Sequence, residues 1–141
     1  MAIRYAKRED WKGILLLLDQ LEYPGSAHFL EEKLVRMIAD PDEVLLVYEE
    51  DEKIWGFVSL HFIPQIALEE DFARISYFAV DASARSRGIG QEMEAHCESL
   101  ARARGCHLME VHCHIRRIRA HGFYFRQGYE ESPKYLIKRL K

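Results

Sequence analysis

The chain has no apolar run approaching the ~20 residues of a membrane span; its longest, Ile14 to Leu18, falls far short. Its three cysteines, Cys97, Cys106 and Cys113, are odd in number and have no C-x-x-C spacing, which argues against a disulfide framework. Positive charge is not in excess. Twenty Lys and Arg face 23 Asp and Glu, giving a net charge of -3 and no basic surface for nucleic acid. The short cluster Arg116, Arg117 and Arg119 does not change that balance. There is no Gly-x-Gly-x-x-Gly and no Gly-Lys-Ser/Thr, so dinucleotide and nucleoside-triphosphate readings fail. The start, MAIRYAKRED, has no signal-peptide core, and a cytoplasmic location is expected. Linkers, repeats and low-complexity segments are missing too.

What is present is an ordinary globular composition, 48% hydrophobic and 30% charged over 141 residues. That length fits one domain, residues 1–141, with a substantial core. Ile3 to Ala6 reads as a short strand, with Asp10 as N-cap of a helix carrying Ile14, Leu17, Leu18 and Leu21 at helical spacing. Tyr23-Pro24-Gly25 stops it. Ser26 is placed to cap a second helix with a stripe of Leu30, Leu34, Met37 and Ile38. Val44 to Tyr48 and Ile54 to Ile63 form a hairpin about the polar turn Glu49 to Lys53. Pro64 to Asp71 is a loop, and Phe72 to Val80 a largely apolar third long strand. A helix lined by Ile89, Met93, Cys97 and Leu100 follows, with Gly105 at its C-terminal cap position. His107 to His114 is a strand, Arg116 to Gln127 a helix ended by Gly128, and Tyr135 to Leu140 a last strand. The order β-α-α-β-β-β-α-β-α-β describes a mixed α/β domain with a βαβ unit near its end.

The turn within that unit, VDASARSRGIGQ from Val80 to Gln91, carries the chemistry. Glycines allow a tight turn and close backbone approach to a ligand. The helix start behind them offers unpaired N–H groups and a positive dipole end. Arg85 and Arg87 add charge-assisted donors for phosphate oxygens. About thirty residues on, behind a helix and a strand, Ala120, Phe123, Tyr124, Gly128 and Tyr129 fit the pattern A-x-x-F-Y-x-x-x-G-[FY]. His112-Cys113-His114 invites a metal, but on a strand Cys113 points away from the two histidines, and no metal is expected.

With both elements in this order, the chain resembles the GNAT superfamily of N-acetyltransferases along essentially its whole length. ARSRGIG, RRIRAHGFYFRQGYEES and the closing KYLIKRL are similar to the aminoalkylphosphonate N-acetyltransferase branch. The resemblance implies acetyl-coenzyme A as cosubstrate, central strands splayed around it, and homodimerisation as a common state. Its pyrophosphate loop maps onto Arg85, Ser86, Arg87, Gly88, Ile89 and Gly90, with Gln91 opening the helix. Phe78, Ala79 and Val80 would pair their main chain with the pantetheine arm, as a strand adds to a sheet edge. Arg117 stands where many relatives hold the coenzyme arm with asparagine, leaving it open to phosphate, substrate or solvent.

Acetyl transfer to an amine needs a path for the proton, an oxyanion donor and stabilisation of the departing thiolate. The resemblance assigns the last to Tyr124, acting mainly as a hydrogen-bond donor because phenol and thiol reference pKa values are ~10 and ~8.5. A backbone N–H near Ala79 suits the oxyanion. Where relatives often have a glutamate in the strand before the turn, this chain has Ser76 and Tyr77. His61 is then the expected base, starting a water relay, with Glu110, His112 and His114 as weaker candidates. Tyr23, His28 and the arginine cluster suit an anionic headgroup such as a phosphonate, whereas Glu69, Glu70 and Asp71 suit a polyamine or aminoglycoside. The expected function is acetylation of a small-molecule primary amine. A protein N-terminus or lysine as acceptor, or an acyl-coenzyme A-binding module without turnover, remains open.

Overall fold

The computed structural model describes residues 2–113, 117–132 and 136–141. Strand β1 (Ile3–Tyr5) leads through a single 3-10 turn into α1 (Trp11–Gln20) and then α2 (Leu30–Ala39). Strands β2 (Glu43–Glu50), β3 (Lys53–Ile63) and β4 (Phe72–Val80) follow as a meander. Helix α3 (Ile89–Ala103) crosses to β5 (Met109–Val111), and α4 (Ile118–Arg126) comes next. The described strands form one sheet in the order β1-β2-β3-β4-β5, antiparallel except for the parallel pair β4–β5. A parallel neighbour requires a crossover, and α3 supplies it.

Both faces of the sheet are covered, so its strands are apolar on both sides. Leu45 and Val47 of β2 join Ile14, Leu17, Leu30 and Leu34 in the core under α1 and α2. Their neighbours Leu46 and Tyr48 point the other way, to Ile89, Met93 and Cys97 of α3. This is the two-residue period of a strand serving two helical layers.

An extra residue in β4 decides where its far half points. Phe78 faces Val58 and Tyr77 faces Ser59, but Leu60 faces Ile75, leaving Ser76 as a bulge. Ile75 and Phe78, three apart, therefore both meet the α3-side core. Beside this bulge the parallel pairing stops: β5 matches only Ala73, Ile75 and Arg74 between them. Beyond Ile75, β4 is bonded on its β3 side alone among the described residues, and the sheet opens.

The main elements agree with the expected order, and the exceptions have local causes. The strand expected from His107 to His114 is regular only over Met109–Val111, and His114 lies outside the described residues. The strand expected from Tyr135 to Leu140 is not formed over residues 136–140, where Leu136 and Leu140 are exposed; Tyr135 lies outside the described residues. Asp10 precedes α1 but makes no side-chain cap. Its carboxylate instead accepts two bonds from the Arg4 guanidinium (2.8 and 2.9 Å) and one from Lys7 N–H (2.7 Å). Ser26 does not cap α2 either: its hydroxyl donates to Tyr23 O, and a turn from Ser26 delays the helix to Leu30.

Tyr129, just past α4, donates its hydroxyl to Glu94 Oε2 of α3 at 2.9 Å, bolting the two helices together. Glu94 is 3% exposed, and burial raises its carboxyl pKa above the ordinary value. Folded Glu94 thus holds its proton to higher pH than unfolded Glu94, so this group's contribution to stability falls as pH rises through the folded value. Tyr129→Phe leaves the buried carboxylate without its donor. It should cost about 1–3 kcal/mol at neutral pH, and less in acid where Glu94 is protonated, by urea denaturation at the two pH values.

Candidate active site

The opened sheet leaves a cleft of about 1100 Å³ between β4, the start of α3 and α4. Phe78, Ala79 and Val80 form its floor, Arg85, Ser86 and Gly88 to Gln91 one wall, and Arg117, Phe123 and Tyr124 the other. A smaller chamber of about 130 Å³ continues from it, lined by Ser76, Tyr77, Tyr23, His112 and Cys113. Leu21, Glu22, Phe78, Arg117 and Tyr124 border both.

The wall at α3 is built to meet an anion. Gly88 is the N-cap, with φ of 80°, and a glycine there has no side chain to satisfy the helix's first N–H groups. The first bond of this end runs from Glu92 N–H to Gly88 O. The N–H groups of Ile89, Gly90 and Gln91 therefore have no intrahelical acceptor and stand at the cleft. The dipole of a helix running to Ala103 adds to them. A Cβ on Gly88 would meet nothing within 4 Å, so the space in front of the turn is open. Gly90 has the opposite reason to be small: a Cβ would lie 3.3 Å from the Phe123 ring, which closes α3 onto α4.

The turn is fastened from behind by residues that sequence reasoning missed. Asp81 accepts bonds from Ser83 N–H (2.9 Å), Ser83 hydroxyl (2.6 Å) and the Gln20 amide (3.2 Å), with Lys53 Nζ at 3.7 Å. Gln20 in turn accepts from Ala82 N–H at 2.8 Å. The Ser83 bonds hold the Asp81 carboxyl down at about 2. The Asp-x-Ser spacing of an Asx turn was the available signal; Gln20, sixty residues away, had none.

Tyr124 projects from α4 to the junction of the two chambers, against Phe78 (6.5 Å between ring centroids) and Phe123 (5.3 Å). Burial pushes its pKa above the ordinary phenol value, so it stays a donor throughout the neutral range. Tyr23 and Tyr77 meet edge to face at 5.1 Å on the wall of the smaller chamber.

Not every expected residue reaches the cleft. Arg85 and Arg117 line it, but the Arg87 guanidinium turns outward to Glu50 (2.7 Å) and over the Trp55 ring. Only the main chain of Arg87 remains in the turn. His61 lines neither chamber. Its Nδ1 is 2.7 Å from Glu43 and its Nε2 3.2 Å from Ser59, so its position gives no support to its expected role as base. Glu110 is engaged by Arg74, and His28 packs on Phe29. Glu69, Glu70 and Asp71 line neither chamber. Arg116 lies outside the described residues.

Residues 11–129 match the model of the Acetyltransferase (GNAT) family. The chain belongs to that family. It is accordingly an N-acetyltransferase with acetyl-coenzyme A as cosubstrate. Over 143 aligned residues it is 27% identical to an aminoalkylphosphonate N-acetyltransferase of Salmonella typhimurium, covering 98% of this chain and 90% of that one. Solved structures share the GNAT fold. A transcriptional regulator from Bacillus halodurans superposes with a TM-score of 0.87 at 22% identity, over 98% of each chain. An aminoglycoside 6′-N-acetyltransferase from Acinetobacter haemolyticus gives 0.84 at 17%, over 100% of this chain and 99% of its own. An aminoglycoside N-acetyltransferase solved with coenzyme A gives 0.81 at 15%, over 99% and 98%.

Two outcomes follow for this GNAT turn. Gly88→Val forces a branched side chain into a left-handed backbone and should weaken coenzyme A binding at least ~10-fold by titration calorimetry. Asp81 is depressed in the folded state, so its contribution is fully present above the unfolded value of 3.8 and is lost as pH falls through about 2. Acid unfolding of Asp81→Asn should therefore lack about 2–3 kcal/mol of pH-dependent stability seen in the parent chain.

Proposed function

We propose that residues 1–141 act as one acetyltransferase domain that moves the acetyl group to the primary amine of a compact small molecule by direct attack. The observation that carries this is the second chamber. At about 130 Å³ it meets the donor cleft at Phe78 and Tyr124, so an acceptor held there presents its amine to the bottom of the cleft. That volume suits a short amine better than a peptide segment or a multi-ring aminoglycoside. Arg117 and His112 on its wall suit an anionic headgroup. An aminoalkylphosphonate has both features, in keeping with the name of the Salmonella relative.

The bound cosubstrate supplies an acetyl thioester. The main chain of Phe78 and Val80 holds the pantetheine arm along the edge of β4 turned away from β3, and N–H groups at Gly88 to Gln91 hold the diphosphate. Asp81 N–H bonds to Trp55 O of β3, so by strand alternation the amides of Phe78 and Val80, rather than that of Ala79, face the other way. One of them meets the carbonyl oxygen as charge develops there, where a fixed donor is most effective. The C–N bond forms as C–S breaks. Tyr124 donates a hydrogen bond to the departing sulfur. Its raised pKa widens the gap between phenol and thiol, so the phenol stabilises the thiolate rather than surrendering its proton to it. The amine's proton leaves through water.

Tyr124→Phe should lower kcat about 10–100-fold, the worth of a hydrogen bond to a charged atom, with coenzyme A affinity near that of the parent. In the parent, kcat should show no phenol-derived fall up to about pH 10. The decisive screen follows coenzyme A release with aminomethylphosphonate, spermidine, kanamycin and a lysine peptide. Turnover confined to the peptide would reject the small-molecule reading.

A further inference from the structure

Three described helices end in the same way, and one of them does so at a cost. In α3, Gly105 N–H bonds to Arg102 O and Cys106 N–H to Ala101 O; in α4, Gly128 N–H bonds to Phe125 O and Tyr129 N–H to Tyr124 O. Both are Schellman ends, with glycine in the left-handed position at φ of 77° and 97°. Helix α1 closes with the same pair of bonds, Glu22 N–H to Asp19 O and Tyr23 N–H to Leu18 O. Its left-handed residue, however, is Glu22, at φ of 71°. A side chain with a Cβ is strained there, and this motif elsewhere in the same chain takes glycine.

The strained position is at the active site. Glu22 borders both chambers, and among the described residues it is the only carboxylate lining either. Arg117, Tyr124 and Phe78 also border both chambers. Strain of this kind persists where surroundings enforce it, and it concentrates at functional positions. The left-handed turn at the helix end brings Glu22 to the junction of the chambers.

We infer that Glu22 is an acceptor-binding residue whose carboxylate receives the ammonium group of the amine at that junction. This rests on the acceptor reading of the smaller chamber. It divides the acceptor's recognition in two: the carboxylate takes the ammonium end, and Arg117 with His112 takes whatever anionic group lies at the other. An amine reaches the thioester along the carboxylate and gives up its proton to water there. Compact amines that carry their own negative charge fit this pair of poles, and a hydroxylated or purely apolar amine of the same size does not.

The test uses Glu22→Gly, Glu22→Asn and Glu22→Asp in the full chain, with the amine of the screen that the parent acetylates fastest. Glycine and asparagine both accept left-handed backbone, so loss of fold does not obscure the result. Glu22→Gly should melt higher, by about 2–4 °C, because strain is released. It and Glu22→Asn should lower kcat/KM about 10–100-fold, carried by KM for the amine, with coenzyme A affinity unchanged. Glu22→Asp should recover part of the loss. A glycine variant that keeps the parent KM overturns the anchor and leaves the acetyltransferase reading standing, as does one that loses activity while melting lower. A parent chain that acetylates none of the amines overturns both.

Discussion

The site depends on a limit placed on one strand pairing. Among the described residues, β4 and β5 run parallel and share only the stretch from Ala73 to Ile75. Had they continued together, the main chain of Phe78 to Val80 would have been consumed by the sheet. The bulge at Ser76 sits where the pairing fails, and it returns Phe78 to the side of the core from which Ile75 points. A single inserted residue therefore keeps the hydrophobic layer under α3 continuous while the hydrogen-bonding edge above it is released.

The two halves of the opening are held by different physics. On the α3 side the holding groups are polar: Asp81, Ser83 and Gln20 immobilise the turn, and the unsatisfied amides ahead of Glu92 face outward. On the α4 side they are aromatic: Phe123 and Tyr124 stack about Phe78, with Tyr129 anchored on Glu94 below. A rigid polar cradle and a close-packed aromatic wall suit a cosubstrate whose arm runs from a diphosphate to a thioester. The same arrangement accounts for why Gly88 and Gly90, two residues apart, are small for unrelated reasons.

Much of this was legible from residue order alone. Hydrophobic period located β2 to β4 and α3, and the Gly-rich turn lies at the start of α3 beside the cleft, because those features depend on neighbours in sequence. Tyr124 was legible through its motif. What escaped reading is long-range or geometric. The fastening of Asp81 by Gln20 joins residues with no local relationship. The outward turn of Arg87 depends on Glu50 and Trp55 in a distant hairpin. His61 was judged by residue type, and its neighbours Glu43 and Ser59 are set by cross-strand register. Glu22 carried no signal, since nothing in the string LDQLEYPG reveals which residue takes the left-handed turn.

The free margin of β4 has a meaning apart from the reaction. An uncovered row of strand amides and carbonyls is a template for any extended polypeptide, and natural sheets shield such rows. Among the described residues nothing pairs with that row. An extended arm that carries amide groups, as pantetheine does, has the chemistry to complete such a row as a neighbouring strand would.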